Sequence, residues 1–268
     1  MLAFVGLGLY DERSITLEGR EVLRGADRAF AELYTSRLAG TTLADLEAFH
    51  GVDIERCDRA LVERDPEPIL SAAESGTVAF LTGGDPMVST THVDLRLRAH
   101  ERGIDTRVVH GTTAAAAAAS LTGLQNYRFG KATTLPFPRA VPGDRAVPGS
   151  VVDTIEDNRD RGLHTLVYLD IKTPEGQYEP EGGEQFMTAS RAAGLLAEGW
   201  EDALAVAVCR AGSESPLVAA DRCSALAGRS LGDPLHLLVV PGRLHHLEAE
   251  ALVELAGAPA DAVEALTE

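Results

Sequence analysis

Lysine is almost missing from this chain of 268 residues: it stands only at Lys131 and Lys172, so nearly all of the 24 basic residues are arginine. No basic stripe runs along any segment, which argues against a nucleic-acid backbone as partner. No apolar run approaches the roughly 20 residues needed to cross a bilayer. The opening "MLAFVGLGLYDE" has no positive region before its apolar run and no cleavage signal, so the expected location is the cytoplasm and no membrane partner is expected. Cysteine is scarce as well. Cys57, Cys209 and Cys223 are an odd count without C-x-x-C spacing, which argues against a disulfide framework and a zinc knuckle. His245 and His246 are adjacent, so on a helix they diverge by about 100° and cannot form an i, i+4 metal pair; no metal is expected. The sequence also lacks a P-loop and a G-x-S-x-G elbow.

What is abundant is negative charge. Asp and Glu total 41, for a net charge of −17. Such a surface suits a saline cytoplasm, where salt screens repulsion and competes for water. Apolar residues make up 45%, enough for a real core.

Strand-like and helix-like stretches alternate almost throughout, the signature of an α/β protein. Strands are expected at 2–8, 27–34, about 52–57, in "TVAFLTGG" and in "TRVVHG". Helices are expected at 14–26, in "PEPILSAAESG", at "TTHVDLRLRAHERG" and at "TTAAAAAASLTG", where Thr112 or Thr113 is placed to cap. A Pro- and Gly-rich loop at 136–150 precedes a helix near Val151. Beyond it come strands in "HTLVYLDIK", "ALAVAVCRAG" and "PLHLLVVPG", and helices in "EQFMTASRAAGLLAEG", "DRCSALAGRS" and "LHHLEAEALVELAG". The expectation is two α/β domains, 1–112 and 113–268, with a ligand cleft between them, because the strands end in turn and small polar residues.

Two motifs invite a ligand. "GLGLYDE" supplies Gly6-x-Gly8 but puts Asp11 where a dinucleotide fingerprint needs its third glycine, and a carboxylate there repels pyrophosphate. Glu32 lies near the distance expected of a ribose-binding acid, which keeps an oxidoreductase reading as a minor alternative. In "LTGGDPMVSTTH", Asp85-Pro86 reads as a helix cap with proline at the first helical position. Gly83 and Gly84 either simply let the chain turn or expose bare backbone to a ligand; composition does not choose between these. The run Ala114–Ala119 is helix filler or a close-packing surface. His236, heading an apolar strand, is by itself more often a hydrogen-bonded core residue than a catalyst.

Together "FVGLGLYDERSITLEG", "AELYTS", "LTGGDPMVSTTH", "GLHTLVYLDIK", "CRAGS", "GDPLHLLVVPGRLHHLEAE" and "LAGAP" resemble the diphthine synthases, archaeal methyltransferases of the diphthamide pathway. The match runs in order from Phe4 to about Pro259. "GLGLYDERSIT" with "AELYTS" is specific to that family, whereas the "GDP" turn is shared with the wider tetrapyrrole methylases. The resemblance implies two α/β domains of tetrapyrrole methylase-like fold, a homodimer, and S-adenosylmethionine as methyl donor, released as S-adenosylhomocysteine. It implies as substrate the 3-amino-3-carboxypropyl-modified histidine of elongation factor 2, whose amine is trimethylated to diphthine.

The family's cofactor-binding positions fall here on Leu9, Asp85, Val88, Thr113, Ala114, Leu169, Ala211 and His236. The family often has Ser-Ile where this chain has Thr113-Ala114, so a hydroxyl is kept and an apolar contact shrinks. The acidic stretch 173–185 also departs from the family pattern, in a way suited to salt. Methyl transfer from a sulfonium is an in-line displacement, so positioning is the main expected task. A site that disfavours ammonium beside a sulfonium lowers the amine's pKa, and no dedicated base is expected. Asp11 and Asp170, read as exposed, are the side chains to test for such a role, with a cap or surface role as the alternative. A methyltransferase acting on a corrin precursor and a nonenzymatic adenosyl-ligand sensor are the competing readings.

Overall fold

The computed structural model describes residues 1–34, 37–138, 146–172 and 184–268. Most of the acidic stretch 173–185, part of the loop 136–150 and the end of "AELYTS" lie outside them. The chain divides into two compact units, Met1–Thr113 with Lys172–Glu184, and Ala114–Ile171 with Gln185–Glu268.

The first unit runs β1 (Leu2–Gly6), α1 (Leu17–Arg24), β2 (Arg28–Glu32), α2 (Leu43–His50), β3 (Glu55–Cys57), α3 (Arg59–Glu63), α4 (Glu67–Ser75), β4 (Val78–Thr82), α5 (Val93–Glu101) and β5 (Thr106–Val109). Its strands form one parallel sheet in the order β3-β2-β4-β1-β5. A parallel sheet covered by helices on both faces demands strands apolar on both sides. Accordingly all of "LAFVG" and all of "VAFLT" are buried. Alternation assigns the faces. Leu2, Phe4 and Phe80 join Ile69, Leu70 and Leu95 on one side, while Ala3, Val5 and Leu81 join Leu23 and Leu46 on the other. Phe4 and Phe80 meet edge to face at 5.7 Å. Thr16 caps α1 by accepting the Gly19 N–H, and Thr42 with Asp45 forms a capping box on α2.

One expectation fails here. Asp85-Pro86 does not open a helix: residues 85–92 are turns, and α5 begins only at Val93 after His92. The Asp85 carboxylate instead closes a local turn, Oδ1 accepting the Met87 N–H at 2.9 Å.

The second unit runs α6 (Ala114–Thr122), β6 (Thr133–Leu135), α7 (Gly149–Asp160), β7 (Thr165–Leu169), β8 (Ile171–Lys172, which straddles the division), β9 (Gln185–Phe186), α8 (Ala189–Trp200), β10 (Leu204–Cys209), β11 (Leu217–Arg222), α9 (Cys223–Ala227), β12 (His236–Val240), α10 (His246–Ala256) and α11 (Ala260–Glu264). Its main sheet has the order β11-β10-β12-β7-β6, antiparallel except between β6 and β7. Strand β11, "LVAADR", was not anticipated: only Ala219 and Ala220 are fully buried, with half-buried residues at either end. The cysteines are free and buried, and burial pushes Cys209 and Cys223 up to about 11, so they are inert packing groups.

One polar cluster holds this unit together. Fully buried Glu248 accepts the Nε2–H of buried His164 at 3.0 Å and the backbone N–H groups of Gln125 and His245 at 2.8 Å each. His164 Nδ1 accepts the Gly242 N–H, which fixes that tautomer. A buried carboxylate with this many donors is compensated for its lost hydration.

Candidate functional site

Three strand ends of the first unit converge on glycine. Gly6 ends β1, Gly84 follows β4 and Gly111 follows β5. A Cβ on Gly6 would lie 2.5 Å from the Gly84 oxygen and 2.7 Å from the Gly111 nitrogen, so only bare backbone fits. Just beyond, Gly8 and Gly84 exchange both backbone hydrogen bonds, Gly8 N–H to Gly84 O at 3.2 Å and Gly84 N–H to Gly8 O at 2.7 Å. Gly84 itself has φ +72°, and a Cβ there would meet nothing nearer than the Thr112 oxygen at 4.0 Å. The space beside this turn is open. That geometry fits a flat, polar-edged ligand lying against peptide groups.

Asp85 fastens the turn. Its carboxylate is 5% exposed; Oδ2 accepts the Gly111 N–H at 3.3 Å and lies 2.8 Å from Nδ1 of His110. The expected positions Leu9, Asp85 and Val88 thus sit on the paired β1 and β4 turns, Leu9 half-buried and Val88 exposed, while Thr113 follows the end of β5. His110, with its side chain 79% exposed, escaped the sequence reading. The only signal for it was its place in "HGTT" at a strand end.

Glu32 is not a ribose ligand in waiting. It is fully buried, accepts the Tyr34 N–H and the Thr82 hydroxyl at 3.0 Å each, and faces buried His92. Asp11 is likewise buried, not exposed as expected; it accepts the Arg13 N–H and pairs with the Arg13 guanidinium at 2.7 Å. Asp170 is half-buried and accepts the Phe137 N–H at 3.0 Å. Both carboxylates hold turns.

In the second unit the antiparallel pairing gathers three expected positions at one end of the sheet's central strands. Leu169 ends β7, Ala211 follows β10, and His236 begins β12 opposite Cys209. Ala114, at the start of α6, flanks the same apolar cluster as Tyr168 and Ala211. His236 Nδ1 accepts the Ala189 N–H at 3.1 Å and Nε2 donates to the Asp233 oxygen at 2.9 Å. Burial lowers its pKa, so the ring is neutral and structural. Among the described residues no three His, Cys, Asp or Glu gather as a metal site, and no helix is long and apolar enough to cross a membrane.

An α/β protein whose parallel sheet ends in bare-backbone turns belongs to the class of open-sheet enzymes that hold a small ligand at strand carboxyl ends. More narrowly, the chain belongs to the tetrapyrrole (corrin/porphyrin) methylases, which it matches over residues 1–227, and within them to the diphthine synthases. It is 71% identical to the diphthine synthase of Halorubrum lacusprofundi over 265 residues, 98% of this chain and 100% of the relative. It is 49% identical to that of Methanosarcina barkeri over 97% of each chain. A crystal structure of diphthine synthase superposes with a TM-score of 0.87 at 37% identity, covering 98% of each chain.

Proposed function

We propose that this chain is a cytoplasmic, homodimeric S-adenosylmethionine-dependent N-methyltransferase. It trimethylates the amino group of the 3-amino-3-carboxypropyl-modified histidine of elongation factor 2, giving diphthine on the route to diphthamide. The observation that carries this reading is the 71% identity to a diphthine synthase across essentially the whole of both chains. The strand-end turns support it, because the open backbone at Gly84 suits a ligand held by peptide groups.

When bound, the cofactor supplies a methyl group on a sulfonium, an electrophile with an excellent leaving group. The contacts proposed for it are Leu9, Asp85, Val88 and Thr113 in the first unit and Ala114, Leu169, Ala211 and His236 in the second. Val88 offers an exposed apolar surface, and Asp85 holds the Gly83-Gly84 turn to the end of β5. His236, neutral and tied at both nitrogens, fixes the start of β12 so that its backbone is presented in one geometry. The protein's contribution is alignment. No metal enters the scheme. The net charge of −17 suits a protein partner with a basic docking face and repels nucleic acid.

The test is intact-mass analysis of elongation factor 2 taken from a strain lacking this gene and incubated at high salt with the protein and S-adenosylmethionine. Three methyl increments localised to the modified histidine are expected. No mass gain, with cofactor binding shown by calorimetry and the precursor confirmed on the factor, would leave the corrin or sensor reading in its place.

A further inference from the structure

We propose that His110, oriented by Asp85, is the general base that takes the proton from the substrate amine. This inference rests on the methyltransferase reading above and adds to it a residue and a role. It also departs from the expectation that positioning alone suffices.

The argument begins with the Asp85 carboxylate, an acceptor on both oxygens. Oδ1 takes the Met87 N–H at 2.9 Å and Oδ2 takes the Gly111 N–H at 3.3 Å, so the group is pinned by the backbone of two different turns. The 2.8 Å contact between Oδ2 and His110 Nδ1 then requires the proton to be on Nδ1. In the neutral ring Nε2 is left with its lone pair outward, on a side chain that is 79% exposed. A buried carboxylate fixing the tautomer of an imidazole whose far nitrogen faces outward is the division of labour used by serine-hydrolase triads, where the acid orients and the histidine moves the proton.

Location supplies the second half. His110 is the last residue before Gly111, so it stands on the same knot of strand ends as Gly6, Gly8 and Gly84. A surface ion pair between two exposed side chains would show neither a 5% exposed partner nor backbone anchoring of that partner on both oxygens.

The chemistry needs such a group at every turn. The amine arrives as an ammonium and must lose a proton before its lone pair can attack. An N–H bond of the ammonium breaks and an Nε2–H bond forms, giving imidazolium. The freed lone pair forms the new N–C bond as the bond from methyl to sulfur breaks, and imidazolium returns its proton to water. Each methyl added releases one proton, so trimethylation uses the base three times.

The experiment compares the wild-type protein with His110→Gln and Asp85→Asn in three measurements. Nitrogen NMR of the histidines in the free protein is expected to show His110 with Nδ1 protonated and Nε2 bare in the wild type, reversed in Asp85→Asn, whose amide donates to Nδ1. Single-turnover methylation is expected to fall by about 10²–10³-fold in His110→Gln, with products stalling at low methyl number. Calorimetry is expected to give a cofactor Kd within a few-fold of wild type for His110→Gln, which a merely structural role would not separate from the rate. A His110→Gln variant that turns over at the wild-type rate, or a wild-type His110 protonated on Nε2, overturns the proposal while leaving the functional reading intact. A wild-type protein that binds cofactor but adds no methyl overturns both.

Discussion

The imidazole of His92 and the carboxylate of Glu32, both out of contact with water, meet with Nε2 and Oε2 3.6 Å apart. The other ring nitrogen lies 3.1 Å from the Pro86 carbonyl, which can only accept, so Nδ1 carries a proton. His92 thereby holds the turn carrying Asp85, Pro86 and Val88 through the Pro86 carbonyl, with its ring packed beside Glu32 at the end of β2. Its ring also sits edge-on to Phe80 at 5.1 Å. His92→Ala removes the tether and the packing together, and should cost about 2–4 kcal/mol in urea unfolding. Cofactor affinity should fall more than in a core variant of equal instability, such as Val62→Ala. Equal losses in the two would refute the tether.

The glycines at the strand ends should separate folding from binding. Gly6→Ala forces a methyl into backbone and should destabilise the protein by at least about 1–3 kcal/mol. Gly84→Ala meets open space and should lose only the roughly 1–2 kcal/mol of a left-handed residue. Yet its methyl projects where the ligand is proposed to lie, so calorimetry should show cofactor binding weakened about tenfold or more. A Gly84→Ala protein with unchanged affinity would move the ligand off this turn.

Acid should weaken the second unit through its histidines. Burial, the largest influence, holds the pKa values of His164 and His236 below their ordinary 6.5. The unfolded chain therefore takes up these protons first as pH falls. The stabilisation is complete above 6.5 and drains away as pH drops through 6.5 toward the folded values. Glu248 adds to this at lower pH: burial raises its pKa, but hydrogen bonds from His245, Gln125 and His164 outweigh that and leave it below 4.5. With repulsion screened by molar KCl, Tm should be flat from pH 8 to 7 and fall from 6.5 to 4. A Tm that rises on acidification would contradict the assignment of neutral rings.

Salt should act on the net charge rather than on individual pairs. Arg102 with Glu67 at 2.6 Å and Arg222 with Asp261 are solvent-facing pairs. Screening shortens to about 3 Å at 1 M, so Arg102→Ala should leave Tm within about 2 °C of wild type there. For the whole protein, raising KCl from dilute to molar should raise Tm, because 41 acids against 24 bases repel when unscreened. A Tm insensitive to salt would show that the excess charge is already dispersed.

Much of this fold was legible where one physical rule dominates. The buried strands of "LAFVG" and "TVAFLT" announced themselves because a parallel sheet tolerates no polar face. The helix closed by Gly76 did so through its proline and glycine ends. Asp85 was misread because the same residue type that caps helices also closes isolated turns, and only the Met87 N–H and the late start of α5 distinguish the two. Strand β11 was hidden by half-exposed ends. In the candidate site, the backbone turns could be anticipated from glycine, but Glu32–Thr82, Glu32–His92 and Asp85–His110 join residues 50, 60 and 25 positions apart. No local pattern records such pairs, which is why Glu32 looked like a ligand group and His110 was not singled out.

The strand order of the first unit also bears on how the chain is made. Strand β1 leaves the ribosome well before its two neighbours, β4 and β5, which pair to it through residues 78–82 and 106–109. The chain as far as Thr82 must therefore be synthesised while a wholly apolar segment waits unpaired. At roughly 5–20 residues per second this is an interval of about 4–15 s. During translation, β1 is the strand of this unit with most need of shelter, and its sheet closes only when β5, just before His110, has emerged.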